Sequence, residues 1–202
     1  MEIRVTTQCE YVDEIVKIHT STFTGFFLTF LGKGFLKTLY TGFMNHPQSG
    51  VIIVLEDDKL VGFCAYSEDL SGFYKYLISK KLPQFAWYAA GAFIRKPKIL
   101  LRLFRAFTYS SESKREESYI ELSSIGVCPM VKNRGVGSEM IRCLIKLSDT
   151  SKFEYIKLET DRDDNEAANY FYQKNGFVLD HSYETPEGRG MNEYRYYLGD
   201  RR

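Results

Sequence analysis

From Tyr11 to Met44 the apolar residues recur every three or four positions, and from Val51 to Tyr66 they run almost unbroken. The first pattern predicts helices and the second predicts strands. Val12, Ile15, Val16 and His19 place an amphipathic helix over 11–23, after a β-like opening at Ile3 to Thr6. Phe30, Leu31, Phe35, Leu36, Leu39 and Phe43 carry the helical rhythm through 26–44, but Gly32 and Gly34 interrupt it, so this second helix is expected to be broken. Val51 to Leu55 and Leu60 to Tyr66, joined by the polar Glu56-Asp57-Asp58-Lys59, predict a strand hairpin.

The pattern changes over 67–118, an aromatic and basic stretch with Pro83 and Pro97 as helix boundaries, which reads as a helical insertion. Beyond it the periods predict a strand at Tyr119 to Val127, a helix at Gly137 to Leu147 and a strand at Tyr155 to Thr160. A helix from Asn165 to Asn175 is stopped by Gly176, a residue suited to the left-handed position past a helix end. Two closing strands, Phe177 to Tyr183 and Met191 to Leu198, flank a polar turn. No internal repeat or low-complexity tract breaks this order, and 202 residues suit one domain.

Charge narrows the partners. With 27 basic and 26 acidic residues, the chain offers no global attraction for nucleic acid or membrane. Cys9, Cys64, Cys128 and Cys143 form no CxxC pair, which argues against a zinc knuckle or disulfide framework and predicts reduced thiols. The start, Met1 to Val5, lacks the features of a secretory signal, so a cytoplasmic location is expected. No spacing suggests a metal site, no serine sits in GxSxG, and His19, His46 and His181 are each isolated, the usual state of a structural histidine.

The most informative run is Ile125 to Ser138: a strand, a short loop containing Gly135 and Gly137, then a helix start. Such a junction aims free amides and the positive end of a helix dipole at one point, where a pyrophosphate can bind. Neither glycine would place a Cβ in the ligand's way. The loop is not a GxxxxGK[ST] phosphate loop, and Met140 stands where a dinucleotide fingerprint needs a small residue.

The run Lys132-Asn133-Arg134-Gly135-Val136-Gly137 resembles the Q/R-x-x-G-x-G/A loop of the GNAT N-acetyltransferase superfamily, and Val127-Cys128-Pro129 resembles its V-x-P signature. Asn165, Ala168, Phe171, Tyr172, Gly176 and Phe177 fall on its N-x-x-A-x-x-F/L-Y-x-x-x-G-F pattern. Lys132 departs from the usual Gln or Arg and lacks arginine's bidentate geometry. The motifs cover Tyr119 to Phe177, and the element order extends the likeness over 1–66.

The resemblance implies an α/β fold: a mixed, twisted sheet of six to seven strands flanked by helices, with the insertion between strands 3 and 4. It implies acetyl-CoA, or another acyl-CoA, as co-substrate and no metal. Backbone groups of Ile125 and Val127 would pair with pantetheine, as an added strand does. Lys132 and the amides of Asn133, Arg134, Gly135, Val136, Gly137 and Ser138 would hold the pyrophosphate. Asn165, Ala168 and Tyr172 form one helical stripe toward the cofactor.

Transfer of an acyl group to an amine needs a proton acceptor and a proton for the departing thiolate. Tyr172 matches the family's recurrent tyrosine and is the candidate acid, with a core tyrosine as the plain alternative. Glu121 precedes the loop by the interval seen for the glutamate base of histone-acetylating members. Six residues before Val127 in a strand, it is expected on that residue's face. Ser123 could bind substrate or orient a water, while Glu159 and Asp161 could reach the cleft from the end of their strand, with solvated carboxylates as the plainer reading.

Phe73 to Phe107 contains no acid but carries Lys75, Lys80, Lys81, Arg95, Lys96, Lys98, Arg102 and Arg105 among aromatics. Its apolar run Phe85 to Ile94 is shorter than the roughly 20 residues that cross a bilayer. Three roles stay open: a wall for an anionic acceptor such as a nucleotide-linked amino sugar, a peripheral membrane contact over 73–107, or a helical subdomain or homodimer contact. The expected function is acyl transfer to a primary amine of a small molecule. Its rivals are a lysine or N-terminal protein acetyltransferase and an acyl-CoA-binding sensor without turnover.

Overall fold

The computed structural model describes residues 1–7, 9–24, 27–80, 118–131 and 133–199. Lys132, the apolar run Phe85 to Ile94, and Lys81 with every basic residue from Arg95 to Arg105 lie outside them.

The expected elements form with small changes at their ends: β1 (Glu2–Thr6), α1 (Val12–Thr22), α2 (Phe27–Phe30), α3 (Lys33–Asn45), β2 (Ser49–Glu56) and β3 (Lys59–Ser67). Residues 70–80 are helical and form α4. There follow β4 (Tyr119–Val127), α5 (Val136–Leu147), β5 (Tyr155–Asp161), α6 (Glu166–Lys174), β6 (Val178–Glu184) and β7 (Gly190–Tyr197). The break foreseen in the second helix falls at Gly32, whose φ of 88° no longer belongs to a helix. The β2–β3 turn places Asp57 and Asp58 at φ 49° and 59°, the left-handed pair that matches the twist of a tight hairpin.

All seven strands join one sheet in the order β1-β2-β3-β4-β5-β7-β6. Only β4 and β5 run parallel; the other neighbours are antiparallel. β2 and β3 are buried on both faces, which explains their unbroken apolar runs. One face packs against α1, α3 and α4 through Ile15, Leu36, Phe63 and Leu77. The other packs against α5 and α6 through Met140, Leu144, Ile156 and Phe177.

The first part of the stretch read as an insertion belongs to the main core. Phe73 and Leu77 of α4 are fully buried, and Phe73 stacks on Phe43 of α3 with ring centroids 4.1 Å apart. Gly42 makes room for this contact, since a Cβ there would lie 2.5 Å from Leu77 Cδ2. The apolar spacing of α4 therefore marks a helix packed into the main core within the stretch 67–118. No described helix is long and apolar enough to cross a membrane.

Candidate active site

β4 and β5 hold together at only three register pairs, Tyr119 with Tyr155, Ile120 with Ile156 and Glu121 with Lys157. Past them the strands part and leave a fork. On its other edge β4 stays paired with β3 as far as Val127, but Ala65 faces Ser124 while Tyr66 faces Leu122, so Ser123 is bulged out. An extra residue bends a strand and raises its twist, which carries the end of β4 away from β5. The Cys128 amide donates to the Val61 carbonyl at 2.8 Å. Alternation along the strand then turns the amides of Ile125 and Val127 away from β3 and into the fork. There the Val127 carbonyl accepts a bond from Thr22 Oγ1 at 3.2 Å.

The glycine loop ends beside the fork. Asn133 and Gly135 take φ values of 66° and 82°, and Gly135 caps α5. A Cβ on Gly135 would have no neighbour within 4 Å, so the backbone angle demands glycine while the space before the helix stays open. The amides of Val136, Gly137 and Ser138 open the helix, have no acceptor within it, and add the positive end of its dipole. This cradle suits a phosphate. Gly137 has a different reason from the one expected of it: a Cβ would come 2.9 Å from Phe171 Cζ, so the packing of α5 on α6 excludes a side chain there. The Arg134 guanidinium is turned to the β2–β3 turn, where it donates to both oxygens of Glu56 at 3.0 and 2.7 Å.

On α6, Ala168 and Tyr172 are half-buried. Asn165 instead faces the sheet, with its Nδ2 donating to Thr160 Oγ1 at 2.8 Å and to the Asp161 carbonyl at 3.2 Å. It fastens the helix start to the end of β5. The Tyr172 ring lies 6.0 Å from both Phe177 and Tyr194, and burial pushes its phenol well above the usual range, so the hydroxyl keeps its proton.

Glu121 lies on the other face of β4 from Val127. The bulge at Ser123 adds one residue between them, and a one-residue slip exchanges the faces of a strand. Ile120, Leu122, Ile125 and Val127 pack toward α5, whereas a Cβ on Gly126 would meet Phe63 and Ile18 on the α1 side. Glu121 therefore shares the α1 side with Ser124, while Ser123 is exposed at the bulge. Burial pushes the Glu121 carboxyl up to about 8; Lys157 pulls against this, and Glu159 and Glu193 add to it. Lys157 Nζ pairs with Glu159 at 3.0 Å and Glu193 at 3.2 Å, and Tyr183 donates to Glu159 at 2.7 Å. Burial disfavours the Lys157 ammonium, but Glu121, Glu159 and Glu193 outweigh it and hold the group charged. Asp161, read like Glu159 as solvated, pairs with Arg189.

Two polar networks had no signal in the sequence. His19 Nδ1 lies 2.7 Å from the Tyr40 hydroxyl, which lies 3.2 Å from Ser124 Oγ, so a buried chain runs from α1 through α3 to the bulged strand. Asn169 Oδ1 accepts from Asn192 at 2.9 Å and from Tyr194 at 3.0 Å, tying α6 to β7. Among the described residues, Asp180, His181 and Glu193 gather ligand atoms within 4.8 Å of one another. The Arg195 guanidinium already sits against both acids, at 3.2 and 2.9 Å, and opposes a cation there.

Residues 12–177 match the model of the Acetyltransferase (GNAT) family. No curated protein matches the chain by sequence. Among solved structures, a Desulfovibrio desulfuricans protein assigned to the GNAT family is similar with a TM-score of 0.66 and 15% identity, covering 98% of this chain and 99% of its own. The ribosomal-protein-S18-alanine N-acetyltransferase from Escherichia coli is similar at TM-score 0.59 and 12% identity, over 100% and 97% of the two chains. A Bacillus anthracis protein assigned as a streptothricin acetyltransferase, in complex with acetyl coenzyme A, is similar at TM-score 0.52 and 16% identity, over 79% and 68%. At these identities the likeness establishes the fold.

Proposed function

The chain belongs to the acetyltransferase (GNAT) family, and from that premise we propose that it transfers an acetyl group from acetyl-CoA to a primary amine. GNAT acetyltransferases use acetyl-CoA, and a structural neighbour holds it. The observation that carries the reading is the fork itself. It has an open phosphate cradle at Gly135 on the α5 side and a buried carboxylate, Glu121, on the α1 side. A thioester lying in the fork would be reached from both.

In this reading the amides from Asn133 to Ser138 hold the pyrophosphate, and the edge of β4 at Ile125 and Val127 pairs with the pantetheine arm. Pairing at Val127 competes with the Thr22 hydroxyl for one carbonyl. The attacking nitrogen starts as an ammonium and ends as an amide, so two protons must leave it. Glu121 takes the first, for which a value near 8 is well matched at neutral pH. As the carbon–nitrogen bond forms and the carbon–sulfur bond breaks, Tyr172 gives its proton to the departing sulfur and the second proton from nitrogen restores the phenol, so one proton, the one on Glu121, is released overall. Of the cationic patch that pointed to an amino-sugar acceptor, Lys75 and Lys80 lie on α4 and the other six basic residues lie outside the described residues.

Thiol release from acetyl-CoA, measured with a panel of primary amines and paired with mass spectrometry of the products, tests the proposal. Release that depends on the amine and yields acetylated product supports it. Binding of acetyl-CoA without release for any amine would favour the sensor reading.

A further inference from the structure

We propose that the α1-side face of the fork is an acceptor subsite for a dication, a primary amine whose chain carries a second ammonium, with Glu121 taking the reacting nitrogen and Glu159 the distal one. The role of the reacting nitrogen rests on the acetyl-transfer reading; the binding of the dication does not.

The two carboxylates stand on one face at the point where the strands part. Glu121 is the last residue of β4 paired with β5, and Glu159 lies two residues past its partner Lys157. Strand rise and spacing put their α-carbons at least about 8 Å apart, a span that a chain of about four methylenes between two amines can serve. Glu121 is 8% exposed, and its Oε2 is buried without a hydrogen-bond partner. Its register neighbour Lys157 does not supply one, because its Nζ is turned to Glu159 and Glu193. A primary ammonium brings three donors to such an acceptor.

Charge points the same way. Lys157 pairs with Glu159 and Glu193, and Arg195 with Glu193 and Asp180, whereas no ion pair among the described residues involves Glu121. A cation entering beside Glu121 favours its ionised form and so restores the base that burial suppresses. The Tyr183 hydroxyl holds Glu159 at 2.7 Å, which fixes the carboxylate for the distal charge. A phosphorylated or nucleotide-linked amine would bring like charge to this face and be rejected.

Calorimetric titration of the CoA-saturated protein with diaminobutane, aminobutanol and glucosamine phosphate tests the subsite. Diaminobutane is expected to bind at least about tenfold more tightly than aminobutanol, an advantage that Glu159→Gln and high salt both remove. Glucosamine phosphate is expected not to bind. Equal affinity for the diamine and the amino alcohol, or an advantage that survives high salt, would overturn the proposal even if Glu159→Gln does not fold. Because the titration reads binding alone, tight diamine binding with no thiol release would keep the subsite and sink the transfer reading. Transfer to amines without preference for the dication would do the reverse.

Discussion

Replacing Glu121 with Gln removes the proposed proton acceptor and keeps the side-chain shape, so its effect should be large and confined in pH. In the proposed mechanism the carboxyl, raised to about 8, acts in its ionised form on an amine that arrives as ammonium. Its kcat/KM should rise tenfold per pH unit up to about 8, then stay level until the free amine itself titrates near about 10. The Glu121→Gln enzyme needs an amine already neutral, so its rate should climb over the whole range. Below pH 8 the two profiles run parallel, and general-base catalysis sets their separation at about 10²- to 10⁴-fold. Between pH 8 and 10 the gap should shrink by about 100-fold, the full shift from ammonium to free amine. The same group affects stability. Its folded-state value lies above the ordinary 4.5, so between 4.5 and about 8 the folded chain binds more protons than the unfolded one. Stability contributed by this group therefore falls as pH rises through that window and is level above it. At about 1.4 kcal/mol per pH unit the ceiling is about 5 kcal/mol, and Glu121→Gln should flatten this slope. Rate profiles from thiol release and melts across the same buffers read both effects. A variant whose deficit stays constant from pH 7 to 10 would refute the role of Glu121 as the base.

Tyr172→Phe should lower kcat by about 10²-fold or more while leaving acetyl-CoA affinity within a few fold, because in the proposed mechanism the hydroxyl acts only as the sulfur departs; a matched calorimetric titration and kcat measurement would show it. Gly135→Val forces a side chain onto φ 82° and should cost about 1–2 kcal/mol of stability in a denaturant melt, together with loss of acetyl-CoA protection. Phe73→Ala opens a cavity beside Phe43 and Leu77 and should cost about 3–5 kcal/mol in urea unfolding. A loss below about 1 kcal/mol would place α4 outside the cooperative core.

Period and punctuation carried most of the fold. Gly32 announced a break that the backbone makes, the four-residue polar stretch between β2 and β3 announced their hairpin, and Gly176 announced the end of α6 at φ 88°. These are local signals, with causes that lie within a few residues. The bulge at Ser123 has no such signal: two serines in a strand fit either register, so counting six residues from Glu121 to Val127 put the carboxylate on the wrong face. Gly137 looked like its neighbour Gly135, yet only tertiary packing shows that Phe171 occupies its side-chain space. Nor does any local signal show that Gly42 opens a seat for Phe73 and Leu77. His19, Tyr40 and Ser124 come from three separate elements and meet only in the folded chain, so the sequence left His19 isolated.

The central claim is that the fork and the glycine loop together form an acetyl-CoA site, and melting the wild-type protein across an acetyl-CoA titration tests it most directly. A ligand held only by the folded state adds about 2.7 kcal/mol at 100 times its dissociation constant, so the midpoint should climb steadily with concentration. Gly135→Val should melt at one temperature throughout. A wild-type midpoint unmoved by millimolar acetyl-CoA would contradict the account.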